Sequence, residues 1–136
     1  MPTPAMAAAQ ALTVLVIDDS DIARARMEAV LEDAGMRVLS LASPIGATRS
    51  IMANSVDVVV IDVLMPAMRG DRLAALFRRN PRFEGLGVVL VSGAAPEELE
   101  RLSLEVEADA TVSKSKLDEL ARTVTAIHRK RTGQHG

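Results

Sequence analysis

Residues Val56–Asp62 read VDVVVID. After Asp57 the run is wholly Val and Ile, and it stops on a carboxylate. Successive rather than alternate positions are apolar. A strand of this kind is buried on both faces, as happens in a parallel sheet covered by helices on each side. Working outward, Leu12–Ile17 and Leu86–Val91 repeat the pattern. Met36–Leu41 and Ala108–Val112 are weaker versions of it.

Helical patterns separate these runs. Asp19 or Ser20 caps a helix whose apolar face is Ala23, Met27, Val30, Leu31 and Ala34, and Gly35 stops it. Ser43-Pro44 reads as a cap followed by a first-turn proline, leading to Ile45, Thr48, Ile51 and Met52. A third helix follows Gly70, with Leu73, Leu76 and Phe77 inward. A fourth opens at Pro96, with Leu99, Leu102 and Val106 inward. The last carries Leu117, Leu120, Val124 and Ile127 and runs out at Arg129, Lys130 and Arg131. The order βαβαβαβαβα predicts the α/β class, with a doubly wound parallel sheet of five strands. Right-handed crossovers leave few topologies. The flavodoxin-like (βα)5 form has strand order 2-1-3-4-5 and places its site at the carboxyl ends of the first and third strands. The expected domain covers residues 12–131, between a loose N-terminal tail at 1–11 and a C-terminal tail at 132–136.

Composition narrows the chemistry. The chain has 136 residues, enough for one sizeable core. A net charge of −2 argues against whole-surface attraction to nucleic acid. The absence of cysteine removes disulfides, thiolate metal sites and thiol nucleophiles. Both histidines, His128 and His135, lie near the C-terminus, which argues against a histidine zinc site. Phe77 and Phe83 are the only aromatics, so base-stacking recognition lacks its side chains. Leu12–Ile17 is too short to span a membrane, and Met1–Ala11 has no basic start of the secretory kind. The expectation is a cytoplasmic protein that neither enters a membrane nor contacts nucleic acid directly.

The strand ends carry the informative residues. The first strand ends in Asp18-Asp19, the third in Asp62, the fourth in Ser92-Gly93, and the fifth near Lys114. Each has an ordinary reading when taken alone: a helix cap, a turn, a surface lysine. Together, three carboxylates at one rim repel one another and call for a cation. Oxygen ligands without Cys or His point to Mg²⁺ or a similar hard ion. A carboxylate can act as nucleophile and form an aspartyl-phosphate. A lysine beside it balances charge on phosphoryl oxygens.

The segments VLVIDDSDIARAR, VVVIDVLMPAMRG, VVLVSG and ADATVSK resemble the signature pieces of response-regulator receiver domains, over about residues 12–131. The resemblance implies a single-domain, chemotaxis-regulator-like switch of a two-component phosphorelay. By this resemblance Asp62 accepts a phosphoryl group from a phosphohistidine on a sensor histidine kinase or histidine phosphotransfer protein. Asp19 and Asp62 ligate Mg²⁺ directly, Asp18 acts mainly through water, and the carbonyl of Leu64 supplies a further ligand. Lys114 contacts the phosphoryl oxygens, and Ser92 moves in to hydrogen-bond them. Pro66 and Gly70 shape the loop after the third strand. Ile22, Ala23 and Met27 on the first helix form the expected dock for the phosphodonor. Output runs through an unidentified downstream protein or a dimer formed on phosphorylation. The acidic fourth helix and basic end of the fifth suit either.

Five positions depart from the commoner family pattern. Ser115, not Pro, follows the lysine, so a cis bond there would cost several kcal/mol more than before Pro. Thr111 stands where an aromatic switch residue is frequent, and Glu107 where a Gly often ends the fourth helix. Leu64 and Ala94 offer no polar group to orient a water that attacks the phosphoryl group, so slow self-dephosphorylation is expected. The chain reads as a phosphoacceptor that assists its own phosphoryl transfer and not as a turnover enzyme. Three alternatives stay open: a receiver-like binding module that is not phosphorylated in use, a receiver cut from a larger response regulator, and an aspartyl-phosphate enzyme. The last wants a second acid where Leu64 stands. The basic run Arg69, Arg72, Arg78, Arg79 and Arg82 reads as a solvated face.

Overall fold

The computed structural model describes residues 12–133; the expected N-terminal tail and His135 lie outside the described residues. Five strands alternate with helices: β1 (Thr13–Ile17), α1 (Asp21–Asp33), β2 (Arg37–Leu41), α2 (Ala47–Asn54), β3 (Val58–Asp62), α3 (Gly70–Arg79), β4 (Gly87–Ser92), α4 (Pro96–Val106), β5 (Ala110–Ser113) and α5 (Leu120–Arg131). All strand pairs are parallel, and the sheet order is β2-β1-β3-β4-β5, the order the sequence predicts.

The unbroken apolar runs follow from this arrangement. Alternate residues of a strand face opposite sides, and here both sides are dry. Leu15, Ile17, Val59, Ile61, Val88 and Leu90 pack beneath α2, α3 and α4. Val14, Val16, Val58, Val60, Val89 and Val91 pack against α1 and α5. Full burial of each such side chain is worth ~1.5–3 kcal/mol before the entropy of ordering is counted. Only the central strands β1, β3 and β4 have both faces closed along their length, so β2 and β5 show the weaker patterns.

Of the two cap candidates, Ser20 caps α1, its hydroxyl accepting from the Ala23 amide at 3.2 Å. Other local expectations are corrected. Ala34 at the far end of α1 is exposed. Ser43-Pro44 does not start α2. It makes a turn closed by the Ala47 amide donating to the Pro44 carbonyl at 3.1 Å, and Gly46 at φ +85° reverses the chain before the helix begins. Ile45 is consequently 81% exposed, and Thr48 and Met52 also face solvent. In α3 the buried set is Leu73, Ala74 and Phe77, while Leu76 faces out. Leu117 is buried as expected but sits in a 3-10 helix, Lys114–Glu119, that precedes α5. No cis peptide bond occurs among the described residues.

Arg78 is not on a solvated face. Its guanidinium pairs with Asp109 and donates to the carbonyls of Leu86 at 2.7 Å and Glu107 at 2.9 Å. Arg131 grips the other Asp109 oxygen at 2.8 Å, and the Val88 amide donates to Asp109 at 2.8 Å. Burial lowers the pKa of Arg78, Asp109 opposes that, and Arg131 adds to the lowering. This network ties α3, α5 and the starts of β4 and β5 together at the end of the sheet opposite Asp62.

Candidate functional site

Parallel strands end on one rim, and that rim gathers the residues singled out by the sequence. Ile17 and Ile61 are paired in register, so the residues just after them, Asp18 and Asp62, emerge side by side. Asp18 is fully buried. One of its oxygens, Oδ1, accepts from the Ser20 amide at 2.9 Å. The other, Oδ2, is buried without a hydrogen-bond partner and faces the Lys114 Nζ at 3.2 Å. Lys114, the first residue after β5, reaches Asp62 Oδ1 at 3.2 Å as well. Asp19 is exposed at the mouth. Oxygens of Asp18, Asp19 and Asp62 all lie within 4.8 Å of one another.

The electrostatics are strained in a defined direction. Burial raises the Asp62 pKa above the ordinary carboxylate value, and the Asp18 charge adds to this. Lys114 pulls it back, without cancelling the rise. For Lys114 the balance runs the other way. Burial lowers its pKa, but Asp62 and Asp18 outweigh that and the ammonium is held more firmly. Asp18 and Asp62 thus share one ammonium, with the Asp19 carboxylate beside them at the mouth. The donor set is all oxygen, and one buried oxygen, Asp18 Oδ2, is met by the Lys114 ammonium alone. That combination fits a hard divalent cation such as Mg²⁺.

Around this centre the other predicted residues take distinct places. Ser92 ends β4 and is fully buried, but its hydroxyl accepts from the Ala94 amide at 3.0 Å. It is engaged with its own loop. Thr111 lies in β5, half-buried and level with Leu90. Leu64 is 59% exposed in the loop after β3, while Met65 is buried and Met68 packs against the core. Ser113 caps the 3-10 helix after β5, its hydroxyl accepting from the Ser115 amide at 3.2 Å.

Two site-shaping residues have roles the motif reading did not specify. A Cβ on Gly70 would stand 2.0 Å from the Asp62 carbonyl oxygen, so only glycine lets α3 start against the backbone of Asp62. Its amide donates to the Val63 carbonyl at 2.8 Å. Arg24 donates to the Asp18 carbonyl at 2.8 Å and to Asp21 Oδ1 at 2.6 Å. The Asp21–Arg24 spacing is visible in the sequence as an i,i+3 pair; the reach back to Asp18 is not.

Comparison with known proteins agrees with this geometry. Residues 14–125 match the family described as response regulator receiver domain. The chain is 33% identical over 116 residues to a gliding motility regulatory protein of Myxococcus xanthus, covering 85% of this chain and 15% of that protein. It is 30% identical over 81 residues to Protein PilG of Pseudomonas aeruginosa, covering 60% of each. It therefore spans less than two thirds of either relative. Among solved structures, the receiver domain of Francisella response regulator 1452 superposes with a TM-score of 0.74 at 26% identity, covering 88% of this chain and 98% of that one.

Proposed function

The chain belongs to the response regulator receiver domain family, and on that premise we propose that it is a signalling switch controlled by phosphorylation of Asp62. The observation that carries the proposal is the convergence of Asp18, Asp19, Asp62 and Lys114 from three strand ends onto one pocket. An Asp62 carboxylate oxygen attacks the phosphorus of a phosphohistidine on a sensor kinase or phosphotransfer protein. The new P–O bond forms as the P–N bond breaks, and the imidazole leaves with the electron pair and takes up a proton. Lys114 balances the charge on the phosphoryl oxygens. Asp19, Asp62 and the Leu64 carbonyl would hold Mg²⁺, with Asp18 as the further carboxylate of the cluster. When bound, the ion neutralises charge developing on the transferred group.

The signal then passes to Ser92. In the resting arrangement its hydroxyl is held by the Ala94 amide. Turning toward the phosphoryl group breaks that bond and moves the loop leading into α4. Thr111 offers no aromatic ring to follow, so the readout runs through backbone and helix shifts at α4. The exposed glutamates of α4 and the exposed Arg129 and Lys130 of α5 form the surface for a downstream protein or for dimerisation. Arg131, committed to Asp109, contributes less to that surface than its position in the basic run suggests.

Turnover of external substrates is not part of this function. Leu64 and Ala94 present no polar side chain to hold an attacking water, so the acyl phosphate persists. Exposure to phosphoramidate, a small P–N donor, tests the proposal through intact mass. One phosphoryl group is expected with Mg²⁺ and none with chelator. Leu64→Asn is expected to shorten its lifetime. No gain in mass under any donor condition contradicts phosphorylation, and an unchanged lifetime in Leu64→Asn contradicts the water argument.

A further inference from the structure

Arg24 stands where a cation is locally unfavourable. It lies in the opening turns of α1, near the positive end of the helix dipole, which disfavours basic side chains. It is nonetheless held closely, with its side chain 19% exposed. One arm of the guanidinium, Nη1, donates to the Asp18 carbonyl at 2.8 Å, and the other, Nη2, to Asp21 Oδ1 at 2.6 Å. The fork thereby bridges the turn between β1 and α1 from its first residue to the first residue of the helix. Inside that bridge sit Asp19, Ser20 and the bond from the Ser20 amide to Asp18 Oδ1.

This placement bears on the acidic cluster. The Asp18 backbone is tied on one side by its amide, which donates to Leu41 at 3.2 Å. On the other side its carbonyl oxygen is held by the Arg24 guanidinium. Three carboxylates converging within one pocket repel, and the exposed Asp19 is the one that can swing away. We infer that Arg24 is a positioning residue for the acidic cluster: its fork fixes the turn so that Asp18 and Asp19 face Asp62 before any cation arrives. The role needs the fork, because the two acceptors are separate atoms on separate residues. A lysine supplies the same charge but only a single nitrogen. The inference rests on the reading of this cluster as a Mg²⁺ site.

Three proteins decide it: wild type, Arg24→Lys and Arg24→Ala, each shown folded by circular dichroism. Two readouts avoid phosphorylation altogether. In metal-free buffer, hydrogen exchange at the Ser20 amide is expected to accelerate in both variants relative to amides of β3. In a Mg²⁺ titration followed by amide chemical shifts, Kd is expected to rise about tenfold in both, the usual scale for losing a residue that orients ligands. At saturating Mg²⁺, the rate of phosphorylation by phosphoramidate is expected to stay within about twofold of wild type, since Arg24 touches no reacting atom. Wild-type binding with unchanged Kd in both variants overturns the inference and leaves the Mg²⁺ reading intact. A wild-type Kd in Arg24→Lys alone also overturns it, because charge rather than the fork would then suffice. Failure of the wild type to bind Mg²⁺ overturns both.

Discussion

Asp62 is the residue on which the pocket's conflicting forces meet. Its pKa is raised from an ordinary value of 3.8, by burial first and by Asp18 second. The folded protein therefore keeps a proton on Asp62 at pH values where the unfolded chain has lost it. By linkage, this group's contribution to stability is greatest below 3.8 and is lost as pH rises through the raised folded value. In metal-free buffer Asp62→Asn is expected to raise the midpoint of thermal unfolding at neutral pH and to flatten that slope. A lower midpoint at neutral pH would show that the Lys114 contact outweighs the repulsion. Mg²⁺ acts on the same repulsion: at ten times its Kd it is expected to stabilise the wild type by about 1.4 kcal/mol, and Asp62→Asn by less. The gathering of Asp18, Asp19, Asp62 and Lys114 was legible in the sequence because strand topology fixes where strand ends lie. The orientation of the Ser92 hydroxyl toward Ala94 was not, since a rotamer leaves no trace in residue order.

At the scale of elements, the contact between α3 and β3 is the most sensitive. Gly70 meets the Asp62 carbonyl so closely that even a methyl group must push the helix or the strand aside. Gly70→Ala is expected to cost roughly 1–3 kcal/mol, the range for overpacking, with weakened Mg²⁺ binding alongside. Chemical denaturation and a metal titration on the same sample check both, and an unaffected Kd would show that the strand end does not move. Helix existence was legible from apolar spacing, but the start of α2 was not. Ser43-Pro44 carries the same signal in a turn as in a cap, and Gly46 at positive φ decides between them. The segment after β5 was misread for a related reason. Leu117 continues the apolar spacing of α5, yet Ser113 caps a tighter 3-10 turn ahead of it.

Across the whole molecule, the site and its mechanical opposite occupy the two ends of the sheet. The acidic pocket is underpaired. The Arg78–Asp109–Arg131 network at the other end is well satisfied, and it holds together elements that are distant in sequence. Asp109→Ala is expected to cost about 2 kcal/mol or more by removing the carboxylate that two guanidinium groups share and leaving the Val88 amide unpaired, with Mg²⁺ affinity unchanged. A loss of affinity would mean that the two ends are coupled. The sheet order was readable from strand–helix alternation, whereas this network was not, because arginines spaced along a helix look solvated until their partners are placed. The central claim, that Asp62 accepts the phosphoryl group, is tested most directly by locating the modification. After treatment with phosphoramidate and Mg²⁺, borohydride reduction converts a phosphorylated aspartate to homoserine, which peptide mass spectrometry places in the chain. Homoserine at position 62 alone, absent without Mg²⁺, is the predicted result; homoserine at another carboxylate, or at none while wild-type protein is folded and Mg²⁺-bound, would contradict it.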